Sequence, residues 1–209
     1  MKKFAILIFA FFPIGVISTV VAAWLFTPAE VQETVEPEPE VVQETVEIKP
    51  TIPDVDLDQM HCLAKNIYFE ARGESSRGKT AVANVTINRV NSTRYPNTVC
   101  DVVYQAVHST WWKENHNRLV PVKNMCQFTW YCDGKSDAIM LTDHQGRTIK
   151  ANMDAWIESI AIARMALEGK LPDLTQGATH YFNPRLANPK WQYVFTQVAI
   201  IDNHAFFVH

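Results

Sequence analysis

Between positions 27 and 56 the chain reads TPAEVQETVEPEPEVVQETVEIKPTIPDVD, and no packed core can come from it. The stretch is rich in Glu, Pro and Val, lacks Gly, Trp, Phe and Cys, and repeats the hexapeptide VQETVE at 31–36 and 42–47 around PEPE. Repulsion between like charges and the stiffness of proline predict an extended tether with too little apolar surface to offset the entropy of folding. The tract divides the chain into residues 1–26, the acidic linker 27–56, and a folded part, 57–209, of ordinary single-domain size.

Residues 1–26, MKKFAILIFAFFPIGVISTVVAAWLF, place Lys2 and Lys3 before an uncharged run of 23 residues, 4–26. That is an export pattern, and the run is long enough for a helix to span a bilayer, whereas a cleavable signal has an apolar region of about 7 to 15 residues. An uncleaved anchor is therefore expected, with a cleaved signal peptide ending near Val21 and Ala23 as the alternative. With the lysines held inside, the rest of the chain faces outward, membrane-anchored or secreted, in the periplasm or cell wall.

With the tether set aside, residues 59–209 hold 16 Lys or Arg against 12 Asp or Glu. This mild positive balance suits an anionic partner such as a wall polymer and is far too small to argue for nucleic acid. The four cysteines, Cys62, Cys100, Cys126 and Cys132, all lie in the exported part, where disulfides persist. Cys126 with Cys132 would close a short loop and leave Cys62 to Cys100, although four cysteines allow three connectivities. Neither a CxxC pair nor an HExxH string occurs, so no metal site and no cofactor are expected.

Apolar periodicity in QMHCLAKNIYFEAR predicts a helix capped by Asp56 or Asp58 and stopped at Gly73. GKTAVANVTINRV is read as a second helix, although Ala83, Val85 and Ile87 also alternate as in a strand. Residues 91–150 read as a long disulfide-braced loop region with one short helix in TVCDVVYQAV. In ANMDAWIESIAIARMALEGK, Trp156, Ile160, Ala163 and Leu167 follow one face and Gly169 ends the helix. QYVFTQVAII and HAFFV around Asp202-Asn203 predict a terminal hairpin. The fold class is α+β, mostly helical with a small C-terminal β-hairpin.

The chemistry concentrates in three segments. In NIYFEARGE, residues 66–74, Glu70 sits at the edge of an apolar helical stripe, where partial desolvation raises a carboxyl's pKa and suits it to act as a general acid. Glu74 lies beyond Gly73 and is expected to be solvated; the bland alternative makes both ordinary surface acids. In CQFTWYCDG, residues 126–134, the hydrogen-bonding Gln127, Thr129 and Asp133 alternate with Phe128, Trp130 and Tyr131. GATHYFNP, residues 177–184, repeats that mixture with Thr179, His180, Tyr181 and Asn183. Such surfaces bind sugars, while any single aromatic among them is as readily explained by core packing.

These segments, together with RYPNTVCDVVYQ and the closing IDNHAFF, resemble the SleB/CwlJ-type cell wall hydrolases, the family that includes spore-cortex-lytic enzymes. The resemblance covers about residues 60–207. It implies cleavage of peptidoglycan glycan strands by a fold similar to lysozyme, lytic transglycosylases and resuscitation-promoting factors, with Glu70 as the matching catalytic acid and Glu74 as a structural or subsite residue. Thr129 stands where relatives often carry Ser, and Asp202 where they carry Gly; both changes are mild. The insert HSTWWKENHNRLVPVKNM is not explained by the resemblance. Two readings compete with glycan cleavage: a zinc-dependent wall amidase or peptidase using His61, His180 and His204, and a wall-binding module without turnover. Nothing in the sequence specifies an oligomeric state.

Overall fold

The computed structural model describes residues 55–209. The apolar run 4–26, and all of the acidic tract except its last two residues, lie outside the described residues. Among those described, no helix is long and apolar enough to cross a membrane.

Helix α1 (Leu57–Ala71) starts where the Asp56 carboxylate accepts hydrogen bonds from the backbone N–H groups of Asp58, at 2.9 Å, and Gln59, at 3.1 Å. Such a cap satisfies donors that have no partner within the helix. Leu63, Ala64, Ile67 and Ala71 recur at three- and four-residue spacing and are buried, which fixes the face that meets the core. Gly73 is not the stop the sequence suggests. The helix ends at Ala71, Gly73 keeps a negative φ, and Glu74 N–H turns back to the Ala71 carbonyl at 2.9 Å. Ser75 then caps α2 (Ser76–Val90) through Gly78 N–H.

The alternation of Ala83, Val85 and Ile87 gives way to helix because α2 is covered on several sides. Val82, Ala83 and Val85 are fully buried, and the helix packs against α1, the short α3 (Val99–Val103) and α5 (Lys150–Leu167). In α5 the buried face carries Ala155, Ser159, Ile162, Ala163 and Ala166, one position round from the expected one, with Trp156, Ile160 and Leu167 at its margin. Small residues let α5 lie close against α1, so the bulky ones are pushed to the border. Gly169 closes α5 at φ +68, a conformation that costs glycine little.

The 91–150 region holds more regular structure than its polar sequence suggests. Strands β1 (Ala106–His108) and β2 (Pro121–Cys126) pair antiparallel, and α4 (Thr110–His116) lies between them, so the unexplained insert is a two-stranded arm with a helical tip. Disulfides join Cys62 to Cys100 and Cys126 to Cys132, one of the three allowed pairings.

The expected hairpin forms from β4 (Thr196–Ile201) and β5 (His204–Val208) and gains a third strand, β3 (His180–Phe182), in the order β3-β5-β4. Phe206 and Ile201 of this sheet bury against Ala81 and Val85 of α2, a second core beside the main helical one. The turn between β4 and β5 is seated on the start of α2. Asp202, at φ +49, accepts hydrogen bonds from Ser75 N–H at 2.9 Å and Ser75 Oγ at 2.6 Å. The Asp202 carboxylate thus anchors the sheet to a helix N-terminus, where negative charge is favoured.

Candidate active site

The register of α1 determines where its last turn looks. Ile67 and Ala71 point into the core, and Glu70, on the flank of Ile67 away from Ala71, emerges half-buried at the floor of a cleft of about 540 Å³. The α1–α2 corner supplies Glu74, the 126–133 loop supplies Gln127, Phe128, Thr129, Trp130 and Asp133, and the sheet and its outgoing loop supply Tyr181 and Asn183. The three segments singled out in the sequence therefore converge on one hollow, although they are about 60 and 50 residues apart along the chain.

Tyr181 Oη donates a hydrogen bond to Glu70 Oε2 at 2.9 Å. Burial is the largest influence on the Glu70 carboxyl and raises it above the ordinary 4.5; the Tyr181 hydrogen bond and the charge of Arg89 pull downward without cancelling it. Burial also drives Tyr181 well up, assisted by Glu70, so the phenol keeps its proton and remains a donor. Beneath them lies Arg89, 5% exposed, whose Nε donates to the Thr179 carbonyl at 2.8 Å and whose guanidinium stands 5.0 Å from the Phe128 ring centre.

Glu74 is held differently. Its two oxygens accept from Asn203 Nδ2 at 3.0 and 3.1 Å, so instead of the solvated acid expected it is a half-buried tie between the α1–α2 corner and the hairpin turn. Trp130 is positioned from behind: its Nε1 donates to Asn66 Oδ1 at 2.9 Å, and Asn66 Nδ2 donates to Thr86 Oγ1 at 3.2 Å. Trp130 and Phe128 are mostly packed, 7% and 2% exposed, and the Trp130 ring stacks on Phe69 at 4.8 Å. They form the cleft's wall rather than an open platform, while Gln127 and Thr129 stand exposed at its mouth.

Thr179 and His180, also expected at the site, are not in this cleft. Successive side chains of a strand point to opposite faces, so Tyr181 reaching Glu70 sends His180 the other way. There its ring meets Trp191 and Phe195, its Nδ1 lies 3.0 Å from Thr179 Oγ1, and burial, with Arg89 and His209 nearby, pushes it down to about 4. Thr179 lines a separate hollow with Asn88, Arg94 and Tyr95.

A family model described as Cell Wall Hydrolase matches residues 73–207, well over half of the chain. The chain belongs to the cell wall hydrolase family. It is similar to a spore cortex-lytic enzyme of Bacillus cereus, 31% identical over 149 residues that make up 71% of this chain and 44% of that protein. A spore cortex-lytic enzyme of Halalkalibacterium halodurans is 30% identical over 149 residues, 71% of this chain and 34% of the relative. The chain thus spans between about a third and under half of the length of these curated relatives. Among solved structures, the catalytic domain of the Bacillus cereus SleB protein aligns with 75% of this chain and 94% of its own at 25% identity and a TM-score of 0.47.

The three histidines of the zinc alternative do not assemble. His61 packs edge-on to Trp156, His180 sits in its aromatic nest, and His204 meets Tyr181, and among the described residues no three His, Cys, Asp or Glu side chains come together as metal ligands. Phe69, Arg89, Phe182 and Leu186 of the cleft escaped the sequence reading, and His204 entered it only through the zinc alternative. Arg89 ends a helix whose pattern reads as scaffold, and its only signal is a cation amid apolar neighbours. His204 follows a hairpin turn and reads as a strand residue; it is 7% exposed, its Nδ1 is buried without a partner, and burial lowers its pKa against the opposing charges of Glu74 and Asp202.

Proposed function

We propose that this protein cleaves the glycan strands of peptidoglycan, with Glu70 as the general acid. The observation that carries the reading is the Glu70 carboxyl itself, raised by burial and steadied by Tyr181 in a cleft whose mouth offers neutral hydrogen-bonding groups suited to sugars. A carboxyl kept protonated above the ordinary carboxylate range by burial delivers its proton to the bridging oxygen as the glycosidic bond breaks, and the oxocarbenium ion that develops is then captured by a nucleophile. Family membership and the relatives' printed names, spore cortex-lytic enzymes, support the same substrate class.

For the capture step, attack by the sugar's own 6-hydroxyl, giving a 1,6-anhydro product, is favoured over a carboxylate-activated water. The two other carboxylates of the cleft are engaged: Glu74 by Asn203, and Asp133 by Lys135 N–H at 2.8 Å. Glu70, having given up its proton, takes one back from the 6-hydroxyl, acting as acid first and base second. Gln127, Thr129 and Asn183 are assigned to sugar hydroxyls and acetamides, and Phe128 and Trp130 to the wall against which a ring lies. In this reading residues 1–26 hold the protein at the membrane or direct its export, 27–56 are a tether, and 57–209 work on the wall outside the cytoplasm.

Incubation with purified sacculi followed by analysis of soluble muropeptides tests the reading. Fragments with anhydro ends are expected and should vanish in Glu70→Gln; fragments with reducing ends point to water as nucleophile. Binding to sacculi without release makes the protein a wall-binding module and overturns the cleavage reading.

A further inference from the structure

Beside the cleft lies a second hollow of about 290 Å³ that shares Phe69, Trp130 and Asp133 with it and is otherwise lined by Tyr68, Arg72, Lys135 and Asp137, among others. The two differ in chemistry. Neutral amides and a hydroxyl stand at the mouth of the first, whereas the second gathers two cations and two carboxylates within 66 positions of sequence, brought together by the end of α1 and the loop after the Cys126–Cys132 disulfide. Asp133 stands at the junction, with Lys135 Nζ 3.6 Å from its carboxylate.

Three features single this hollow out from an ordinary solvated surface. Arg72 is exposed, holds its guanidinium 5.6 Å from the Tyr68 ring centre, and makes no ion pair among the described residues. Tyr68, 1% exposed and wedged edge-on between Phe69 and Trp156, keeps a buried hydroxyl that has no hydrogen-bond partner. Such a group is rare in a native interior and marks this wall of the hollow as one of unmet hydrogen bonding. Burial raises the Asp137 carboxyl, Asp133 adds to the rise, and Lys65 opposes both, so this acid gains from an incoming cation.

A polymer carrying only negative charge is repelled by Asp133 and Asp137, and a neutral glycan brings no opposite charge to Arg72. A ligand with both a carboxylate and an ammonium satisfies both signs. We propose that this hollow is a subsite for a peptide side chain of the wall polymer, Arg72 taking a carboxylate of the peptide and Asp137, with Asp133, taking the ammonium of a diamino acid. The inference rests on reading the adjoining cleft as the place where the glycan lies. It makes the protein a reader of the peptide substituent next to the bond it cuts.

The test uses the full-length Glu70→Gln variant, in which bound ligand survives, and two soluble probes: a wall disaccharide carrying a tripeptide that ends in a diamino acid, and the same disaccharide stripped of its peptide. Calorimetric titration is expected to show the peptide-bearing probe binding about tenfold tighter or more, the scale of one charged hydrogen bond. Adding Arg72→Gln or Asp137→Asn should bring the two affinities together, while Arg72→Lys, which keeps the charge, should retain part of the difference. Equal affinities in the parent, or a preference untouched by both added substitutions, overturn the proposal, as does displacement of the peptide-bearing probe by poly(glycerol phosphate) at lower concentration than by free tripeptide. Release of fragments from sacculi without any peptide preference sinks this proposal and leaves glycan cleavage standing; a preference that runs through Arg72 in a protein that releases no fragments does the reverse.

Discussion

Glu70 and Glu74 stand four residues apart, one on the last turn of a helix and the other past its end, and their partners assign them opposite tasks. A dry seat leaves Glu70 able to hold a proton against the opposing pull of the Tyr181 hydroxyl, whereas two hydrogen bonds from one amide hold Glu74 in place. Glu70→Gln is therefore expected to lower muropeptide release by at least about a hundredfold, the share a positioned general acid supplies. Because the folded-state pKa of Glu70 lies above 4.5, the wild type loses stability as pH rises from about 4.5 through the raised value, where the unfolded chain has already released the proton and the folded one has not. Thermal unfolding of Glu70→Gln and wild type should coincide below that window and separate above it, with the variant the more stable. Tyr181→Phe removes a contact that favours the charged carboxylate, so the alkaline limb of the activity profile should move to higher pH; an unmoved limb counts against Glu70 as the titrating acid. The placement of Glu70 was legible in the sequence because a helical stripe has an edge. That of Thr179 and His180 was not: in GATHYFNP nothing distinguishes loop from strand, strand alternation turns His180 away from Tyr181, and Thr179 lies before the strand and lines another hollow.

At the scale of elements, the site depends on two junctions. One is the buried link from Thr86 of α2 through Asn66 of α1 to Trp130 in the 3₁₀ turn after β2. Asn66→Ala leaves the Trp130 N–H buried without an acceptor and should cost about 2–4 kcal/mol, within the range for unsatisfied buried groups plus a small cavity, read as a lower denaturant midpoint with altered tryptophan fluorescence. The other junction is the close approach of Gly78 to the hairpin turn. A Cβ there would meet Asp202 Oδ2 at 2.4 Å and Glu74 Cβ at 2.8 Å, so Gly78→Ala has to push the turn off the start of α2. A loss of about 1–3 kcal/mol in stability is expected, with muropeptide release falling as His204 and Glu74 shift at the rim of the cleft. The helices and the terminal hairpin were readable from apolar period and turn chemistry. The arm formed by β1, α4 and β2 was not, because its residues are largely exposed and carry no apolar rhythm, and β3 is three residues long and exists only through β5.

For the whole molecule, charge is distributed by segment. Residues 1–58 hold three Lys against ten Asp or Glu, while 59–209 carry 16 basic and 12 acidic residues, so the chain's formal −3 conceals a basic domain preceded by the acidic tract proposed as its tether. A positive domain approaching an anionic wall gains an attraction that salt screens over roughly 8 to 10 Å, and a negative tether subtracts from it. Binding of the Glu70→Gln protein to sacculi is therefore expected to weaken as ionic strength rises. Replacing the tether's glutamates by glutamine should strengthen binding at low salt and make little difference at high salt. Sedimentation of sacculi with bound protein measures both. If the tether substitution weakens binding instead, the acidic tract is itself a wall contact rather than a spacer. Proline and glutamate would then serve adhesion, and the expected screening curve would run in the opposite direction.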